Sequence, residues 1–296
     1  MKSITVTLTV VLLWASLTAV AGPNTHLLVS TDWLAQHLHD RNLVLLHSHW
    51  TRGNYKKSHI PGARFLWING FTRDTPDRST ELPSVKEATV LLRELGITKD
   101  SRIVVYFEGQ NMTMTTRMIL TLTYLGLGDQ VALLDGGFEA WKREGRPVTS
   151  EIPTVKPSTY TPVLHPEIIA DADWVMKHLS DPKVTIVDAR STRYYDGSSP
   201  VSGGVRGHIP HAVNVPFSSV ADSTNRMLSP EALSALFTKA GVKPGNTVVT
   251  YCHVGQQATL VYFAARYLTY NVKVYDGSFE DWSDRELPIE DPSGKK

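Results

Sequence analysis

One thiol, Cys252, is the sole cysteine in a chain of 296 residues. It stands in Tyr251-Cys252-His253-Val254-Gly255-Gln256-Gln257-Ala258, directly after the β-rich run Thr247 to Tyr251. Leu260, Val261, Phe263, Ala264 and Tyr267 follow at helical spacing, which predicts a strand-to-helix turn at the cysteine. In such a turn the backbone amides of the loop and of the first helical turn converge, forming a concave nest of partial positive charge. A thiolate is stabilised there: near a helix N-terminus the cysteine pKa can fall from about 8.5 to between about 3.5 and 7.5, and the thiolate is the nucleophile. The competing reading is a small buried hydrophobe, the usual fate of a free cysteine.

Histidines offer the other chemistry. His37, His39, His47 and His49 form two His-x-His pairs, and a strand would put His47 and His49 on one face. No carboxylate or cysteine completes a ligand set at familiar spacing, so no metal site is expected. His59 and His208 occupy matching turns in the two halves of the chain, which points to building the fold rather than to catalysis.

That match is part of a repeat, and the repeat supplies the elements that must position the thiol. Asp32-Trp33-Leu34 with His37 returns as Asp173-Trp174-Val175 with His178, and Val44-Leu45-Leu46 as Thr185-Ile186-Val187. His59-Ile60-Pro61 with Ala63 returns as His208-Ile209-Pro210 with Ala212, and Val104-Val105-Tyr106 as Val249-Thr250-Tyr251. Asp135-Gly136-Gly137-Phe138 with Trp141 returns as Asp276-Gly277-Ser278-Phe279 with Trp282. Five blocks in one order indicate a duplication. Phe107 holds the place of Cys252 in the first copy. Each copy alternates helical and strand patterns, with N-caps expected at Ser30 or Thr31 and at Ala172-Asp173. Short continuous apolar runs (43–46, 103–106, 185–187, 247–251) read as strands buried on both faces. The expected fold class is α/β, each copy a parallel sheet flanked by helices.

The expected division is a leader over 1–21, a first copy over 26–146, a Pro-rich linker over 147–166 and a second copy over 167–290. An insertion over 196–204, rich in Gly and Ser, predicts a longer, mobile loop in the second copy. The leader pattern is Lys2, an apolar run from Ile4 to Val20, and the small residues Ala19 and Ala21, which predicts cleavage after Ala21. Periplasmic or secreted localisation follows, without stable membrane insertion after cleavage; an uncleaved anchor is the alternative. Thirty basic residues balance 29 acidic ones, which argues against nucleic acid as a partner.

The repeat, the His59-Ile60-Pro61-Gly62-Ala63 turn and the closing Tyr275-Asp276-Gly277-Ser278-Phe279 resemble the tandem-domain rhodaneses, the thiosulfate and 3-mercaptopyruvate sulfurtransferases. The likeness covers nearly all of the chain after the leader. It implies that Cys252 takes sulfane sulfur from a small-molecule donor as a persulfide and passes it to cyanide or a thiol, with no metal or organic cofactor. It also implies that Cys252 to Gln257 form the six-residue loop that holds the persulfide, and that the first copy is inactive. An arginine after the first strand of the second domain meets the anionic donor in this family. Arg190 and Arg193 in Asp188-Ala189-Arg190-Ser191-Thr192-Arg193-Tyr194 compete for that role, one residue short of the expected spacing. Spacing favours Arg193 for the donor and an Arg190–Asp188 structural ion pair. His253-Val254-Gly255 matches neither the Arg-Lys-Gly of thiosulfate-type enzymes nor the Gly-Ser-Gly of mercaptopyruvate-type enzymes. Two roles for His253 stay open, a protonated contact to thiosulfate or a cap on the loop. Thiosulfate is the first-choice donor, 3-mercaptopyruvate the second, and a non-catalytic persulfide carrier for a protein acceptor the third reading. The cysteine phosphatases on rhodanese-like folds end a longer loop in arginine; here Ala258 stands six residues after Cys252 and the next arginine is Arg266.

Overall fold

The computed structural model describes residues 22–76 and 78–294, so the expected leader lies outside the described residues. The first copy runs β1 (Leu28–Val29), α1 (Thr31–His37), β2 (Leu43–His49), α2 (Arg52–Lys57), β3 (Arg64–Trp67), α3 (Val85–Glu94), β4 (Arg102–Phe107), α4 (Met112–Leu122), β5 (Val131–Leu134) and α5 (Gly137–Arg143). The second runs β6 (Ile169–Ala170), α6 (Ala172–Lys177), β7 (Val184–Asp188), α7 (Thr192–Tyr195), β8 (Val213–Asn214), α8 (Pro230–Lys239), β9 (Thr247–Tyr251), α9 (Ala258–Tyr267), β10 (Asn271–Tyr275) and α10 (Ser278–Asp284).

Both sheets are parallel and have the same order, β1-β5-β4-β2-β3 and β6-β10-β9-β7-β8. The central strands β4 and β9 are buried on both faces, which is why their sequences read as unbroken apolar runs. In register, Tyr106 pairs with His47 and Tyr251 with Asp188, so the same strand pairing recurs at corresponding positions of the two sheets.

The repeated residues build the same local devices twice. Trp141 and Trp282 are fully buried and donate their indole N–H to the carbonyls of Pro147 and Pro288, at 2.8 and 2.7 Å. His59 and His208 stack on Tyr55 and Tyr195 and bond the carbonyls of those residues through Nδ1, a fold-building role. Ser30 caps α1 by accepting the Trp33 N–H. The cap of α6 is Asp171, which accepts the Trp174 N–H at 2.8 Å, rather than Ala172-Asp173: alanine carries no acceptor, and Asp173 lies in the first turn.

Residues 150–165 carry no helix or strand, yet they are strapped to the first copy. Arg93 donates to the Tyr160 carbonyl, Tyr160 Oη to the Leu125 carbonyl and the His165 N–H to the Tyr124 carbonyl. Within the 196–204 insertion the Ser199 N–H donates to the Arg193 carbonyl, and Arg206 Nη1 donates to the Gly197 carbonyl. The copies pack through equivalent helices, with the hydroxyls of Thr116 on α4 and Thr259 on α9 meeting at 2.9 Å. One apolar cluster, including Met118, Leu120, Val261 and Phe263, runs through both copies, and each copy adds a smaller one on its outer face. None of the helices among the described residues is long and apolar enough to cross a membrane.

Candidate active site

Cys252 lies immediately beyond the C-terminal end of β9, and α9 begins at Ala258, so the thiol occupies the strand-to-helix turn that its neighbours predict. The loop is anchored from the next turn of the same domain. The Cys252 N–H donates to Ser278 Oγ at 3.1 Å, the Phe279 N–H to the Cys252 carbonyl at 3.0 Å and the Glu280 N–H to the His253 carbonyl at 3.0 Å. Gly255 adopts a φ of +77°, and a Cβ there would stand 2.5 Å from the Asp276 carbonyl oxygen, so only glycine lets the loop lie this close.

The backbone N–H groups of Val254, Gln257 and Ala258 act on the thiol to pull its pKa down, as the nest predicts. The net direction is nevertheless upward. Cys252 is 1% exposed, and burial, which disfavours the anion, outweighs the three amides. The expectation of a lowered thiol pKa is therefore corrected: the amides pull in the predicted direction, but burial of the sulfur outweighs them.

Behind the cysteine, Arg190 Nε reaches both Asp188 oxygens at 3.0 Å and Nη2 bonds Asp188 Oδ2 and the Gly207 carbonyl. Tyr251 Oη donates to Asp188 Oδ2 at 2.7 Å and accepts the Ile209 N–H, tying the pair to the His-Ile-Pro turn. The Arg190 guanidinium lies 4.0 Å from the Phe279 ring centroid, and among the described residues its buried Nη1 has no hydrogen-bond partner. Arg190 thus forms the expected ion pair while keeping one donor uncommitted. Its charge acts on both Cys252 and His253.

Arg193 is exposed on α7, where it bonds Tyr194 Oη at 3.1 Å and lies 4.8 Å from that ring's centroid. Tyr194 in turn meets His253 edge to face at 4.6 Å. Arg193, Tyr194 and His253 therefore form a chain leading from solvent to the Cys252 loop. Burial first, and then Arg190, push the His253 pKa down to about 4. This direction runs against the expected protonated contact to thiosulfate.

The first copy is closed at the corresponding place. Phe107 is fully buried, and a Cβ on Gly137 would lie 2.8 Å from the Phe107 ring, whereas the second copy pairs Cys252 with Ser278. His47 stands where Asp188 does and Glu108 where His253 does, their side chains 3.5 Å apart. Among the described residues no group of three His, Cys, Asp or Glu is placed to hold a metal ion.

Sequence reasoning missed Ser278 as an anchor, although two of the positions at which the copies differ, Phe107/Cys252 and Gly137/Ser278, lie in aligned repeat blocks and meet at the site in each copy. It also missed contacts from the first copy: Thr80 Oγ1 donates to the Val254 carbonyl at 2.8 Å, and Gln256 Nε2 to Thr113 Oγ1 at 3.0 Å.

Comparison with known proteins agrees with this geometry. A family model described as "Rhodanese-like domain" matches residues 30–144 and again 171–285. The chain belongs to the rhodanese family. Over 86% of its length it is 33% identical to the sulfur carrier protein TtuD of Thermus thermophilus, 93% of which is covered. It is 31% identical to the thiosulfate sulfurtransferase of Rattus norvegicus, over 88% of this chain and 93% of that one. It is 28% identical to the 3-mercaptopyruvate sulfurtransferase of Escherichia coli, over 88% and 97%. Tandem rhodanese domains and a sulfurtransferase of this family are thereby established, while these relatives differ in what their names say they handle.

Proposed function

We propose that this rhodanese moves sulfane sulfur from thiosulfate to cyanide or a thiol acceptor through a persulfide on Cys252. The observation that carries the reading is the seat of the chain's one cysteine in the turn between β9 and α9, anchored by Ser278 and Phe279, where the Val254, Gln257 and Ala258 amides favour its anion. In the first step the Cys252 thiolate attacks the outer sulfur of thiosulfate. The S–S bond of the donor breaks, sulfite leaves with the electron pair, and Cys252 carries a terminal S⁻ held by the amides. In the second step the cyanide carbon, or an acceptor thiolate, attacks that terminal sulfur. Thiocyanate or a new persulfide departs, and the Cys252 thiolate is regenerated.

Two guanidiniums favour a dianionic donor. Arg193 meets it at the exposed end of the Tyr194–His253 chain, and Arg190 supplies buried positive charge behind the loop. His253 lines the approach. A phosphatase is disfavoured because Arg266 is committed to Thr123 Oγ1 and the Gly128 carbonyl, away from the loop. The leader pattern in 1–21 supports action in the periplasm or outside the cell. Transfer from 3-mercaptopyruvate is the second reading, supported by the E. coli relative, and persulfide delivery to a protein acceptor is supported by TtuD.

Initial rates with thiosulfate plus cyanide, against 3-mercaptopyruvate plus a thiol, test the proposal in wild type and Cys252→Ser. The expected result is a higher rate with thiosulfate, abolished by the substitution. Wild-type protein inactive with both donors and equal to Cys252→Ser would overturn the enzymatic reading.

A further inference from the structure

The loop that carries Cys252 is braced from its outer side by the domain without a nucleophile. Arg117, on α4 of the first copy, is fully buried and forks onto Asp276 of the second, Nη1 on Oδ1 and Nη2 on Oδ2 at 3.1 Å. Asp276 opens the turn that delivers Ser278 Oγ to the Cys252 N–H and the Phe279 N–H to the Cys252 carbonyl. The same residue presses on Gly255: a Cβ there would be 2.5 Å from the Asp276 carbonyl and 3.4 Å from Arg117 Nη1. Thr80, also from the first copy, holds the next carbonyl of the loop, that of Val254.

A buried fork between guanidinium and carboxylate adds little stability over an apolar pair of the same volume, but it fixes both oxygens in one orientation. The related contact on the other side of the molecule lacks this character. Asp135, the counterpart of Asp276, meets a partly exposed Arg226 through one nitrogen at 3.4 Å and accepts the Met227 N–H. The buried fork is found on the side that carries the cysteine.

We propose that Arg117 is a positioning residue for sulfur transfer. It holds the Asp276–Phe279 turn, and with Thr80 it makes the geometry of the amide nest depend on docking of the first domain. The inference rests on the persulfide reading of Cys252, and the test separates the two. Full-length Arg117→Met, Arg117→Lys and Thr80→Val proteins are compared with wild type in three measurements: alkylation of Cys252 by iodoacetamide as a function of pH, which needs no donor; kcat and KM with thiosulfate and cyanide; and thermal unfolding. The expected result for Arg117→Met is a kcat at least tenfold lower with KM within twofold, and an alkylation midpoint moved to higher pH. Arg117→Lys recovers part of both, and Thr80→Val lowers kcat about two- to fivefold with little change in unfolding temperature. A folded Arg117→Met protein with wild-type kcat and alkylation midpoint would overturn the proposal. If Arg117→Met does not fold, a Thr80→Val protein with wild-type kcat and midpoint overturns it instead. Wild-type protein that forms no persulfide would sink the functional reading while the alkylation profiles still decide the role of Arg117.

Discussion

Replacing Gly255 with alanine isolates the part played by the shape of the Cys252 loop. The residue has φ +77°, a region that costs an L-residue about 1–2 kcal/mol. The new Cβ would also stand 2.5 Å from the Asp276 carbonyl oxygen. That is roughly 0.8 Å short of the about 3.3 Å at which carbon and oxygen ordinarily meet, so the loop must shift by a comparable distance. Such a shift separates the neighbouring Val254 amide from the sulfur. A hydrogen bond to a charged group contributes about 1.5–3 kcal/mol, and about 1.4 kcal/mol corresponds to one pH unit, so the thiol midpoint rises by about one to two pH units. Stopped-flow alkylation against pH, with urea unfolding as the control for stability, measures both effects. A folded Gly255→Ala protein that keeps the wild-type alkylation midpoint would refute the assignment of the amide nest as the group that holds the anion.

Three further outcomes follow from the site. Arg193→Ala removes an exposed cation on the approach, so KM for thiosulfate rises about five- to fiftyfold in steady-state assays while the maximal persulfide loading rate changes little; an unchanged KM counts against its role. Arg190→Met leaves the Asp188 carboxylate buried beside Tyr251 Oη and is expected to cost about 3–5 kcal/mol in urea unfolding. A loss under 1 kcal/mol would show that the pair is not the internal support described. His253 titrates at about 4 in the folded chain against 6.5 when unperturbed, so the unfolded chain takes the proton first. Its contribution to stability is present above pH 6.5 and is lost as pH falls towards 4, about 2–3 kcal/mol after discounting for partial exposure. His253→Asn should flatten that stretch of the stability profile, and an identical slope in both proteins contradicts the assignment.

The repeated residues made the architecture readable in advance, because each does the same physical job twice. Trp141 and Trp282 close their domains with the same indole bond, and His59 and His208 stack on a tyrosine in the same turn. The turn at Cys252 was legible from an apolar run meeting a helical pattern. The electrostatics were not, because the pKa directions of Cys252 and His253 are set by burial, which a linear pattern does not report. Nor were the contacts of Arg117, Thr80 and Thr113, since they depend on how one copy docks on the other across more than a hundred residues of chain. Asp171 was missed as a cap by one residue, within the normal spread of helix ends.

The central claim is that Cys252 carries the transferred sulfur. Peptide mass spectrometry after treatment with thiosulfate, then again after cyanide, tests it most directly. The account predicts a gain of one sulfur, about 32 Da, on the peptide containing Cys252, removed by cyanide and absent in Cys252→Ser. Sulfur on another peptide, or none on the wild-type protein, would contradict it.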